Sequence, residues 1–130
     1  MKLATFTDGT APRLAVVTDG GLVDLAAALP SLPRDMIGLI GSWPAARAEV
    51  ARVAASSVRR IALDSVRLLA PVPRPGKMLA IGLNYADHVA EAGLETPKLP
   101  LFFNKQSTCV TGPRDPVHMP RVSQALDYEG

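Results

Sequence analysis

One cysteine stands in 130 residues, so Cys109 has no internal partner and no disulfide framework can support the fold. That count fits a reducing compartment, and the expected location is the cytoplasm. Cys109 lies among Ser107, Thr108 and Val110 with Lys105 as the only nearby cation, so a buried, inert thiol is expected rather than a nucleophile. Aromatic residues make up only 5% of the chain and never interleave with a basic run, so nucleic acid is not an expected partner despite a net charge of +2. Long apolar runs are missing as well. None approaches the roughly 20 residues a membrane span requires, and Met1 to Thr10 mixes small, polar and apolar residues with Asp8, unlike a secretory leader.

A composition 48% hydrophobic and 20% charged reads as globular. The length suits one domain, or one small domain and part of another. Lys2 to Phe6 alternates. Arg13 to Val17, then Asp19-Gly20, then Leu22 to Leu25 has the form of a hairpin, because both central turn positions favour residues that tolerate positive φ. Pro33 marks a helix start, and Met36, Leu39, Ile40 and Trp43 form one stripe over about two turns. A second helix runs from Pro44 to about Ser56 with Ala46, Val50 and Val53 on one face, and Ile61 to Leu69 reads as extended.

Ala70 to Gly76 holds prolines at alternate positions, which can continue neither a helix nor a central strand, and it marks the expected boundary. The organisation is therefore a small α/β domain over residues 1–70 and a second, β-rich unit over 71–130. In the second unit Met78 to Ile81 and Leu101 to Asn104 read as strands. Between them Asn84 to Ala92 reads as a helix capped by Asn84 and ended by Gly93.

On that helix His88 and Glu91 are three residues apart and share a face, so the carboxylate can orient one imidazole nitrogen, as a general base requires. By spacing alone an exposed surface pair is the commoner outcome. Leu126 to Glu129 reads as a strand end. Glu129 could share a face with a carboxylate two positions on, an oxygen set suited to Mg²⁺, Mn²⁺ or Ca²⁺. One carboxylate does not make such a site.

Taken together, Lys77 to Gly93, Pro100 to Ser107, Pro113, Asp115-Pro-Val117 and Asp127-Tyr-Glu129 resemble the start of the catalytic domain of the fumarylacetoacetate hydrolase family. Residues 1–70 resemble, more loosely, the small domain that many bacterial members carry before it. The resemblance implies an α+β fold whose second unit begins a mixed β-sandwich roll, cut off inside its metal-binding motif. It implies His88 and Glu91 as a catalytic dyad, Glu129 as the first metal ligand, and Lys105 and Tyr85 as substrate-binding residues. The implied cofactor is Mg²⁺, or Mn²⁺ or Ca²⁺. The implied substrate is a small oxo-acid such as an acylpyruvate, cleaved at a C–C bond through a metal-stabilised enolate, and the intact protein is expected to be a homodimer. Isomerisation and decarboxylation use the same enolate and are the alternatives. Ile81 replaces an aspartate ligand found seven residues before the histidine in some members, which points toward the branch acting on smaller oxo-acids. The rival reading is a complete, non-enzymatic binding domain with His88 and Glu91 as a surface pair.

Overall fold

The computed structural model describes residues 1–56 and 59–126. Strands β1 (Lys2–Thr7), β2 (Arg13–Thr18) and β3 (Gly21–Asp24) form an antiparallel meander, and β4 (Arg67–Leu69) pairs antiparallel with the free side of β1. The sheet order is β3-β2-β1-β4. Three helices follow β3: α1 (Leu25–Ala28), α2 (Met36–Gly41) and α3 (Trp43–Ala55).

Strand alternation divides the core in two. Leu14, Val16 and Val23 pack with Leu25, Leu29, Met36, Leu39, Ala46, Val50 and Val53 from the helices. On the opposite face Phe6, Ala15 and Leu22 form a smaller cluster flanked by Ile61, Val66 and Leu68. Each fully buried aliphatic or aromatic side chain contributes roughly 1.5–3 kcal/mol. The α3 face expected from periodicity is the face that is buried.

Local chemistry moves several expected boundaries. Strand β3 ends at Asp24 instead of including Leu25, because Asp24 Oδ1 accepts from the backbone N–H groups of Ala26 (2.8 Å) and Ala27 (3.3 Å) and so starts α1. Arg13 in turn donates to Asp24 Oδ2 at 3.0 Å, pairs with Asp8, and lies 4.9 Å above the Phe6 ring. Helix α2 starts at Met36, capped by Asp35, and Ile40 is exposed even though it falls on the expected stripe. The run from Ile61 to Leu69 is not continuously extended. Ile61 forms a single bridge to Leu22, and Leu63–Ser65 then closes a 3₁₀ turn in which Ser65 Oγ donates to the Ala62 carbonyl.

The proline-rich segment is tied to the sheet at its start: Ala70 is buried, and Thr5 Oγ1 donates to the Pro71 carbonyl at 2.7 Å. Beyond it β5 (Met78–Gly82) and β6 (Leu101–Lys105) form a separate antiparallel pair, with Met78 opposite Lys105 and Gly82 opposite Leu101. Their connection carries α4 (Ala86–Glu91). The expected strand at Leu126 to Glu129 is not formed at Leu126, and its remaining residues lie outside the described ones.

Candidate active site

Gly82, the last residue of β5, is followed by Leu83 at φ 53, the one non-glycine residue among the described ones with positive φ. This left-handed residue turns the chain out of the strand and toward α4 at a steric cost. Tyr85, not Asn84, occupies the N-cap in an extended conformation, and it makes no side-chain cap hydrogen bond. Asp87 Oδ1 instead accepts from the His88 backbone N–H at 2.9 Å. The C-terminus follows expectation. Gly93 adopts φ 64, its N–H bonds the Ala90 carbonyl, and the Leu94 N–H bonds the Val89 carbonyl, both at 3.1 Å. That pair of bonds is the Schellman arrangement.

Helix α4 brings His88 and Glu91 together. Nδ1 and Oε2 are 4.0 Å apart, and the two side chains are 62% and 85% exposed, so both are open to solvent or to a ligand. Val89, on the opposite side of the helix, is its buried residue. Tyr85 is exposed. Lys105 ends β6 with Nζ 5.2 Å from the Phe103 ring centroid, two residues back on the same strand face. Glu129 lies outside the described residues. Among those residues, no three His, Cys, Asp or Glu side chains converge in a way that could hold a metal ion. Cys109 is exposed, contrary to expectation. It closes a short 3₁₀ turn (Ser107–Cys109), where Sγ donates to the Gln106 carbonyl, and this turn sits at the surface.

A cleft of about 320 Å³ opens where the connection leaves the β5–β6 pair. Leu83, Asn84, Thr96, Lys98 and Leu101 are among its walls. The sequence reading selected neither Thr96 nor Lys98, although Pro97 and Pro100 bracketing a cation mark a stiffened segment.

Residues 77–130 match the family model described as the fumarylacetoacetate (FAA) hydrolase C-terminal domain. Over that segment the chain resembles the fumarylacetoacetate hydrolase family. A curated relative, the mitochondrial oxaloacetate tautomerase FAHD2A of Bos taurus, is 37% identical over 110 residues, which is 85% of this chain and 35% of the relative. The mitochondrial oxaloacetate tautomerase fahd2 of Xenopus laevis is 35% identical over 133 residues, 99% of this chain and 42% of the relative. Among solved structures, maleylpyruvate hydrolase from Sphingobium sp. SYK-6, in complex with manganese(II) ion and pyruvate, superposes with a TM-score of 0.71 at 34% identity. That match covers 94% of this chain and 43% of the hydrolase. The chain thus spans about two fifths of the length of these fumarylacetoacetate hydrolase relatives. Its α+β fold is the fold of that family over the shared part, and no helix among the described residues is long and apolar enough to cross a membrane.

Proposed function

We propose that the protein carrying this chain is a divalent-metal-dependent enzyme acting on a small oxo-acid through its enolate, with His88 moving the proton and Glu91 orienting His88. The observation that carries the reading is the placement of His88 and Glu91 on one open face of α4 within a segment that resembles the fumarylacetoacetate hydrolase family. An imidazole nitrogen open to a ligand can accept a proton at the carbon beside a carbonyl, and a carboxylate held near the other edge of the ring favours the charged ring that results. Hydrolysis of a C–C bond in an acylpyruvate-type acid is the first reading. Keto-enol tautomerisation of an acid such as oxaloacetate is the second, and the names of the curated relatives favour it. Decarboxylation would use the same proton chemistry.

Support for a metal comes from the manganese in the solved maleylpyruvate hydrolase. Mg²⁺, Mn²⁺ and Ca²⁺ share its preference for oxygen ligands. When bound, such an ion supplies Lewis-acid stabilisation of developing negative charge. Glu129 would give one ligand oxygen, and the described residues offer no further set. Tyr85 and Lys105 are proposed to contact substrate, and a homodimer is proposed for the intact protein. A cytoplasmic location rests on the lone cysteine, beside curated relatives whose names carry the word mitochondrial.

The test is an assay of the protein expressed from its full reading frame, on acylpyruvates and oxaloacetate, with Mg²⁺ or Mn²⁺ and then with EDTA. Turnover that EDTA removes supports the reading. Absence of both turnover and metal binding would favour the binding-domain alternative.

A further inference from the structure

We propose that Leu83 is a positioning residue for the His88–Glu91 pair, its left-handed backbone setting the direction in which α4 leaves β5. This rests on the reading of that pair given above and deepens it. The residue before Leu83 is fixed. Gly82 closes β5 opposite Leu101, and a Cβ there would stand 3.1 Å from the Leu101 side chain. After it, only Asn84 and Tyr85 come before Ala86, the first residue of α4. No side chain clamps the helix start: Tyr85 makes no cap hydrogen bond, and Asp87 Oδ1 bonds the N–H of its neighbour His88, a contact that travels with the helix. Val89 is the buried residue of α4, while Ala86, Asp87, His88, Ala90 and Glu91 are exposed. A helix seated on one side chain can pivot about it, so the backbone at its ends must set its angle.

Those two ends are made differently. Gly93 leaves the helix at φ 64, which glycine adopts without steric cost. Leu83 holds φ 53 against the cost of its Cβ. For a residue with a Cβ the left-handed well is small, φ about +50 to +70°, whereas glycine ranges over both signs of φ. Leucine therefore fixes the exit direction more tightly than glycine would. Such strain persists only where the surroundings over-determine it, and Leu83 is half-buried at a strand end, lining the cleft with Pro97, Leu99 and Leu101. The angle matters for chemistry. An atom about 6 Å from a rotation axis moves about 1 Å for each 10° of turn, and a misplacement of that size can cost about a hundredfold in rate. Leu83 stands five positions before His88, in the connection that carries both members of the pair.

The experiment assays the full-length protein with Mn²⁺ on acylpyruvates and oxaloacetate, with Leu83 replaced by glycine or by asparagine, which tolerates the left-handed region while keeping a Cβ. Leu83→Gly is expected to lower kcat about tenfold or more, while KM and Mn²⁺ affinity stay within about twofold and the denaturation midpoint does not fall. A merely structural residue would not lose turnover while keeping stability and binding. Leu83→Asn is expected to keep kcat within about threefold of wild type. A glycine variant with wild-type kcat overturns the proposal. So does an asparagine variant that loses as much as the glycine one, since the side chain and not the backbone would then matter. Should the wild type turn over none of these acids, the reading of the pair fails, and crystal structures of full-length wild type and Leu83→Gly decide the positioning alone. An α4 disordered or shifted by about 1 Å or more against β5 and β6 in the glycine variant supports it, and an unmoved, equally ordered helix overturns it.

Discussion

Arg67 and Asp115 meet across 48 positions of sequence: Nε and Nη2 of the arginine both donate to Asp115 Oδ1, at 3.0 and 2.7 Å. The other carboxylate oxygen accepts from the Gly112 backbone N–H at 2.8 Å. Arg67 opens β4 and Asp115 lies beyond β6, so this contact fastens the four-stranded sheet to the turn region of the second unit. Gly112 is required there because a Cβ would come within 2.7 Å of the Leu68 carbonyl oxygen. Although the arginine side chain is 63% exposed, the aspartate is only 19% exposed, and its remaining hydrogen bonds are internal.

The acid limb of stability should carry the signature of this contact. The Gly112 N–H, and then the Arg67 guanidinium, hold the Asp115 carboxyl below its ordinary value of 3.8. A group lowered in the folded state stabilises above its unfolded value, and that stability is lost as pH falls through the folded value. Asp115→Asn should therefore lower Tm at pH 7, and the gap from wild type should close below about pH 3.8. Asp8 is lowered too, first by the Thr10 hydroxyl, and titrates in the same direction, so the difference between wild type and variant is the quantity to measure. A gap independent of pH would rule out the ionic account.

The two glycines of the β2–β3 hairpin should respond differently to alanine. At Gly20 a Cβ meets the Arg60 side chain at 2.8 Å, and moving it would disturb the guanidinium's hydrogen bonds to Thr18 Oγ1 and to the Ala54 and Ser56 carbonyls. At Gly21 the φ is +116 and a Cβ would lie 2.5 Å from the Ile61 carbonyl oxygen, which bonds the Leu22 N–H at 2.8 Å. Gly21→Ala should cost about 2–4 kcal/mol and Gly20→Ala about 1–2 kcal/mol. Chemical denaturation of both variants checks this, and equal losses would contradict it.

Leu83 is tested by changing what its backbone tolerates. Leu83→Gly removes a left-handed penalty of roughly 1–2 kcal/mol at an entropic cost of about 0.5–1 kcal/mol, so stability should hold or rise slightly. Leu83→Val places a β-branched residue where such residues are outliers and should lose about 1 kcal/mol or more. If the valine variant matched wild type in melting, φ 53 would not be a strained conformation.

For the proposed chemistry, His88→Ala in the full-length protein should cut kcat roughly a hundred- to ten-thousand-fold and leave Mn²⁺ affinity nearly unaltered. Glu129→Ala should weaken Mn²⁺ binding first. Calorimetry for the metal and steady-state kinetics for turnover separate the two, and metal loss in the histidine variant with turnover retained would reverse the assignments.

Several elements were legible in the sequence because their signals are local. The β2–β3 turn falls at Asp19-Gly20 as expected, although positive φ is taken by Gly21 and by neither of those two; the buried face of α3 followed from Ala46, Val50 and Val53, and the end of α4 from Gly93. What was not legible depended on a side chain competing for backbone groups. Asp24 turned the expected strand residue Leu25 into the first residue of α1, and Ser65 folded an extended run into a 3₁₀ turn. Ile40 fell on a valid stripe, yet α2 is too short to bury it. The His88–Glu91 pair was visible as a spacing, whereas the cleft was not, because residues 81–84 and 96–101 line one space only once β5 and β6 have paired. The exposure of Cys109 was missed for a similar reason: the identity of sequence neighbours does not reveal a surface turn.

The β5–β6 pair also has a colloidal consequence. Leu79, Ile81 and Phe102 are exposed on one face of the ribbon, and Met78, Leu101 and Phe103 on the other, while both outer edges lack a strand partner among the described residues. A two-stranded ribbon of this kind is adhesive along its edges as well as its faces. Concentrating this stretch of chain by itself should drive self-association that grows with protein concentration, and salt that screens charge would leave that tendency intact.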